Sequence, residues 1–186
     1  DQRRDADPVD HAHRAGAVVV GEDLGVVAPY AREHLLERGI LGTSILWFEQ
    51  ADGGLLPPER YRELCLASVT THDLPPTAGY LELAHVDLRN DLGLLTRPIG
   101  EEIEQELSVL AMVGDELIDR GLLSPDGDQE AMVVALHRYL AQTPSKMLGV
   151  ALGDLVGDRR IINQPGTNNE YPNWRVPLAG PDGVPI

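Results

Sequence analysis

The feature that most constrains this chain is a short apolar run, repeated along it, that breaks off each time on residues able to do chemistry. Ala17-Val18-Val19-Val20 leads into Gly21-Glu22-Asp23-Leu24-Gly25, and Ser44-Ile45-Leu46-Trp47-Phe48 leads into Glu49. Leu66-Ala67-Ser68-Val69-Thr70 leads into Thr71-His72-Asp73-Leu74-Pro75, and Ile161-Ile162 into Asn163-Gln164-Pro165-Gly166-Thr167. Runs this short suit strands rather than helices. The first, β-branched and apolar on both faces, has the pattern of a parallel strand covered by helices. Strands are predicted over about 17–20, 44–48, 66–70 and 160–163.

Helical signals fill the gaps. Pro29 opens a segment running to Arg38 with Gly39 past its end, and Pro57 opens a shorter one to Leu64. Within a helical segment over about 98–157, Ile99, Ile103, Leu107, Leu110, Ala111, Leu117 and Ile118 recur at spacings of three and four, marking an amphipathic helix that Gly121 ends. Asp128 caps a second, with Met132, Val133, Leu136, Tyr139 and Leu140 on its inner face, and Thr143-Pro144 starts a third that stops near Gly157. Asp1 to Arg14 reads as a charged helix, Ala51 to Gly54 as a turn and Pro181 to Ile186 as a loose tail. Strands alternating with helices imply an α/β fold with parallel pairing through crossovers. Four strands with active ends make half of an eight-stranded barrel, whose edges and interior call for partner strands.

The formal net charge of -15 argues against nucleic acid and anionic membrane as partners, since both attract clustered positive charge. No apolar run reaches the roughly 20 residues of a membrane span, and the N-terminus lacks the features of a signal peptide. Cys65, the single cysteine, reads as a small buried residue and fits a reducing compartment. A cytoplasmic protein is expected.

Taken alone, Glu22-Asp23 reads equally well as a helix first-turn acid with an N-cap. The later strand ends favour chemistry. Glu22 and Asp73 close two different strands with one strand between them, and in a barrel such ends converge on one pocket. Facing carboxylates, one protonated and one ionised, are what acid-assisted cleavage of a glycosidic bond requires. His72 either donates to a sugar hydroxyl or is satisfied by backbone. Five of the eight aromatic residues, Trp47, Phe48, Tyr80, Tyr171 and Trp174, fall in or beside the strand ends, as a sugar site would use them, with Trp47 and Phe48 also suited to the core. No GxSxG, GxGxxG, HExxH or phosphate-binding loop occurs. Glu22, Asp23, His72 and Asp73 also have the donor types of an oxygen-nitrogen metal site, while His11 and His13 read as solvated.

Gly-Glu-Asp-Leu-Gly at Gly21 to Gly25, Thr-His-Asp-Leu-Pro at Thr71 to Pro75, Asn-Gln-Pro-Gly-Thr from Asn163 and Pro-Asn-Trp-Arg ending at Arg175 resemble, in the same order, the 4-alpha-glucanotransferases of glycoside hydrolase family 77. The resemblance implies the C-terminal part of a (β/α)8 TIM-type barrel with helical insertions across 1–186. It implies an enzyme that breaks an α-1,4 bond of maltodextrin and passes the glucan, held covalently, to the 4-hydroxyl of an acceptor such as glucose or maltose. No metal or organic cofactor is implied. Glu22 would be the general acid/base and Asp73 the transition-state stabiliser, with His72, Asn163, Asp23, Trp47 and Gly166 binding substrate. The family's nucleophile is an aspartate in an Arg-x-Asp-His motif one strand earlier. Asp10-His11 mimics part of it, but Val9 precedes the pair, no such arginine is present, and the distance to Glu22 is too short for a strand-helix-strand unit of roughly 30 residues. The nucleophile is therefore expected upstream of Asp1, in an N-terminal part of the parent chain that would be this one's partner, and the isolated chain is expected to be inactive. Pro76 departs from the threonine of many relatives. The alternatives are a non-catalytic glucan-binding fragment and a related α-glucan hydrolase.

Overall fold

The computed structural model describes residues 8–51 and 54–186. In chain order it comprises α1 (Pro8–Ala15), α2 (Pro29–Glu37), β1 (Gly42–Ile45), β2 (Gln50–Ala51), β3 (Gly54–Leu55) and β4 (Cys65–Ser68). There follow α3 (Thr77–Leu81), α4 (Ala84–Asp91), α5 (Ile99–Asp119), α6 (Gln129–Leu140), β5 (Met147–Gly149) and α7 (Leu152–Val156). The central sheet is parallel, in the order β1-β4-β5. Beyond β1, Val20 bridges Leu41 in the same parallel sense, with the Gly21 N–H donating to the Leu41 carbonyl at 2.7 Å.

Side chains on a strand alternate between its faces, and β4 divides the molecule accordingly. Cys65, Ala67 and Val69 are fully buried. Ala67 and Val69 join Leu46 and Trp47 of the turn after β1, Val113 and Leu117 of α5, and Leu136 and Tyr139 of α6 in one apolar core. Leu66 and Ser68 point the other way and line a cavity. Two close approaches fix the helices. Gly79 lets α3 lie on the chain at Arg159, where a Cβ would come within 2.1 Å of the carbonyl oxygen. The buried Asp154 carboxylate of α7 accepts from the Thr77 N–H at 2.5 Å and the Thr77 hydroxyl at 2.8 Å.

Several sequence expectations are corrected. The run 17–20 makes one bridge rather than a strand, and Val18 stands 62% exposed, because Leu41 is its sole strand partner among the described residues. The helix expected from Thr143-Pro144 is instead the strand β5 followed by the short α7. Pairing of Met147 to Gly149 with Leu66 to Ser68 overrides a local sequence that tolerates either state. The stretch 160–163 is a loop, since its carbonyls go elsewhere: Ile161 accepts from the Tyr171 hydroxyl and Ile162 from the Trp174 N–H. The helix opened by Pro57 shrinks to a single turn at Pro58–Arg60. The tail folds back, with Ala179 bridging Pro185. Neither α3 nor α4 is foreseen by the pattern, whereas α2, α5 and the Asp128 cap of α6 agree with it. Residues 1–7 of the expected N-terminal helix and residues 52–53 of the expected turn lie outside the described residues.

Trp47, stacked on Tyr80 at 4.1 Å between ring centres, is one of the largest side chains in the core. Trp47→Ala is expected to destabilise the protein by about 3–5 kcal/mol in denaturant titrations. His137 of α6 sets a pH dependence. Its Nε2 lies 3.3 Å from the Asp154 carboxylate, and this contact, opposed by burial and aided by the Val133 carbonyl at Nδ1, raises its pKa above the ordinary 6.5. A raised folded-state value adds stability that is fully present below the unfolded value and lost as pH rises through the folded one. The thermal midpoint should therefore fall as pH rises above 6.5, and His137→Gln should remove that slope while leaving the acid limb in place.

Candidate active site at the strand ends

Because the strands run parallel, their C-terminal ends share one side of the sheet. Glu22 follows the Val20 bridge there, and its exposed side chain borders a cavity of about 590 Å³ that His72, after β4, also borders. Ile45, Leu66, Val150, Ile162 and Leu178 give this cavity an apolar wall. Beside His72, Asp73 Oδ1 accepts from the Asn163 side-chain amide at 2.6 Å and lies 3.3 Å from His72 Nε2. The His72 and Asp73 side chains remain 42% and 40% exposed, open to a ligand. Residues ninety positions apart thus meet in one polar cluster.

Trp174 completes it. The residue is 64% exposed, and its ring lies 5.1 Å from the His72 ring. Its backbone has φ 61°, a left-handed conformation costly for a bulky side chain. That conformation is held from both ends of the loop: the Trp174 N–H donates to the Ile162 carbonyl at 2.8 Å, and Asn173 takes the Gln164 N–H at 2.7 Å while its amide donates to the Thr167 hydroxyl at 2.8 Å. Gly166, exposed with φ 85°, makes the turn of this loop and brings no polar side chain to the cluster.

Two expected substrate contacts are placed elsewhere. Asp23 is 3% exposed and committed to protein partners, with its carboxylate accepting from Arg62 Nη1 at 2.5 Å, Arg62 Nη2 at 3.2 Å and the Thr43 N–H at 2.8 Å. Burial alone would raise its pKa, but the Arg62 bonds, the Thr43 N–H and the charge of Arg32 outweigh that and hold it below the ordinary carboxylate range. Trp47 is 6% exposed in the core and does not reach the cavity. Tyr80 is buried beside it, Tyr171 is spent on the Ile161 carbonyl, and Phe48 is exposed beside Asp23 and Arg62 rather than in the core. Asp10 lies exposed on α1. Among the described residues no cluster of three or more His, Cys, Asp or Glu side chains is arranged to hold a metal ion, so Glu22, Asp23, His72 and Asp73 do not form one.

Sequence reasoning missed Arg62 and Arg160. Arg160 grips Asp158, itself 3% exposed, whose carboxylate also accepts from the Ala179 N–H at 2.9 Å and so ties the tail to the cavity rim. Neither arginine lies in a motif. Chemically, the site offers a free carboxylate at one strand end, a second carboxylate oriented by an amide and an imidazole, and an exposed aromatic face. That set suits a neutral polyhydroxylated ligand.

Known proteins give an independent comparison. A family model described as 4-alpha-glucanotransferase matches residues 7–181. A 4-alpha-glucanotransferase of Mycobacterium tuberculosis is 62% identical over 183 residues, covering 94% of this chain and 25% of that protein. One of Haemophilus influenzae is 31% identical over 180 residues, covering 90% of this chain and 25% of its own length. The crystal structure of amylomaltase from Corynebacterium glutamicum superposes with a TM-score of 0.90 at 42% identity, over 96% of this chain and 27% of that one. The chain thus spans about a quarter of the length of the curated relatives it matches. No helix among the described residues is long and apolar enough to cross a membrane. With the family model covering nearly all of it, the chain belongs to the 4-alpha-glucanotransferase family.

Proposed function

We propose that the full-length protein carrying this chain is a 4-alpha-glucanotransferase acting on maltodextrin, and that residues 1–186 form the C-terminal portion of its (β/α)8 barrel. The observation that carries this reading is that Glu22, after the Val20 bridge, and His72, after β4, border one cavity, with Asp73 beside His72 and bonded to the Asn163 amide of a distant loop. Glu22 donates its proton to the glycosidic oxygen as the C1–O bond breaks and an aspartate outside this chain bonds to C1, releasing the shortened glucan. Glu22, now a carboxylate, takes the proton from the 4-hydroxyl of an incoming glucose, maltose or longer acceptor, whose oxygen displaces the aspartate. This is retaining double displacement. Asp73 holds ring hydroxyls and stabilises the positive charge developing at the anomeric centre, and Asn163 and His72 keep its carboxylate oriented. Trp174 offers its face to a sugar ring.

The protein works in the cytoplasm on this reading, in keeping with the free thiol of Cys65, the one cysteine in residues 1–186. Without the nucleophile the isolated chain does not turn over, and a glucan can still bind to it.

Incubation of the full-length protein with maltotriose, followed by chromatography, tests the assignment. Glucose together with longer maltodextrins is expected. Glu22→Gln should lower their formation about 100- to 10 000-fold, and Asp73→Asn should also lower it strongly, with kcat affected more than KM. Glucose without longer products would mark a hydrolase. No wild-type turnover, with maltodextrin affinity unchanged in Glu22→Gln, would mark a binding module and defeat the proposal.

A further inference from the structure

Glu22 and Asp23 are consecutive, yet one is exposed on the cavity and the other is among the most buried charges described. The buried one is elaborately held. Arg62, thirty-nine positions away, gives both ends of its guanidinium to the Asp23 carboxylate. Its Nη2 also donates to the Thr43 carbonyl and, at 3.3 Å, to the Ser44 hydroxyl, so the arginine locks Asp23 onto the backbone of β1. Thr43 answers with its N–H to Asp23 Oδ1 at 2.8 Å and with its hydroxyl at 3.3 Å from the Asp23 N–H. From the other side, Arg32 of α2 stands 3.4 Å from Asp23 Oδ2. The backbone beneath is cut to fit this pair: a Cβ at Gly42 would lie 2.6 Å from Arg62 Nη1 and 2.9 Å from Asp23 Oδ1. Arg62 is itself anchored, its carbonyl accepting from the Ser145 hydroxyl at 3.0 Å and the Cys65 thiol at 3.2 Å.

An ion pair between a buried carboxylate and a part-exposed guanidinium contributes little net stability over an apolar pair of the same shape. What this one supplies is position. Glu22 sits between two tethered neighbours, with the Gly21 N–H on the Leu41 carbonyl and Asp23 under Arg62, and among the described residues its own side chain makes no hydrogen bond. Its placement over the cavity therefore depends on its backbone, and the tether on the Asp23 side ends at Arg62. We propose that Arg62 is a positioning residue for the Glu22 carboxylate, acting through Asp23 to fix the acid/base in line with the scissile oxygen. This rests on the acid/base assignment of Glu22. Lysine cannot replace it, because a single ammonium does not span two carboxylate oxygens, a carbonyl and a hydroxyl.

The test uses the full-length protein and two donors. Maltotriose needs its leaving oxygen protonated as C1–O breaks. α-Maltosyl fluoride does not, since fluoride departs unprotonated, and azide then displaces the enzyme's aspartate from C1 without needing a base. Arg62→Lys is expected to lower kcat on maltotriose by about 10- to 100-fold, as a misplacement of about 1 Å would, while azide-supported fluoride release stays within about 3-fold of wild type. Asp23→Asn, which keeps the shape and removes the charge, should give the same split and decides the matter where Arg62→Lys does not fold. Loss of both activities in parallel, or wild-type rates on maltotriose, would overturn the role of Arg62. Glu22→Gln is the control. If it lacks the split, the acid/base assignment itself fails and the role of Arg62 falls with it; a split in Glu22→Gln alone defeats only the arginine.

Discussion

Everything at the site depends on the parallel pairing of β4 with β1 on one side and β5 on the other. A strand bonded on both edges has two faces left, and here they receive opposite treatment. Ala67 and Val69 are sealed under α5 and α6, while Leu66, Ser68 and Thr70 border the cavity. Since the strands and the Val20 bridge run in one direction, their ends arrive on one side, and the turn after Val20 and the turn after β4 deliver Glu22, His72 and Asp73 there. The location of the carboxylates is a consequence of strand direction before it is a matter of side-chain chemistry.

Charge burial follows a second rule. The chain carries a formal charge of -15, yet the buried carboxylates Asp23, Asp154 and Asp158 each face a basic side chain: Arg62, His137 and Arg160. Two of these pairs reach across elements, and Asp158 with Arg160 reaches across the tail through Ala179. An unpaired buried carboxylate would be strongly destabilising, so each pair also dictates which segments must lie together. Glu22 and Asp73 are left at the surface of the same region, open to a ligand, because the neighbouring charges have been settled elsewhere.

How much of this is legible in the sequence depends on range. Where local pattern decides, the reading agrees with the structure: Pro29 and Gly39 bracket α2, three- and four-residue spacing marks α5, Asp128 caps α6, and β1 and β4 fall within a few residues of their predicted places. Where pairing decides, it does not. Val18 and Val20 have strand composition, yet among the described residues their run pairs only through the Val20–Leu41 bridge, whereas Met147-Leu148-Gly149 has no strand signature and is recruited by β4. The meeting of Asp73 with His72 and Asn163 is in keeping with the family resemblance of their motifs, and the burial of Trp47 with its reading as a core residue, but nothing in the pattern marks Asp23 for burial. Nothing about Arg62, one of fourteen arginines, sets it apart until the fold lays it over Gly42. Strain at Trp174 is likewise a property of the closed loop, invisible in the residues that close it.

The surroundings of Glu22 and Asp73 share one design. Asp23, next to Glu22, is held by an arginine thirty-nine positions along the chain, and Asp73 by an amide from the loop after α7. Neither is held by residues of its own turn alone. Side chains on a turn are mobile unless something distant fixes them, and catalysis by a carboxylate tolerates little misplacement. Recruiting each anchor from another segment solves both problems, since the anchor can be in place only when the intervening chain has folded. The loop that brings Asn163 is in turn seated by Gly79 against Arg159, and Arg62 by Ser145 beside β5. Geometry around Glu22 is thereby linked to the docking of β5, and geometry around Asp73 to the docking of α3, so that the site is assembled by the same contacts that complete the core.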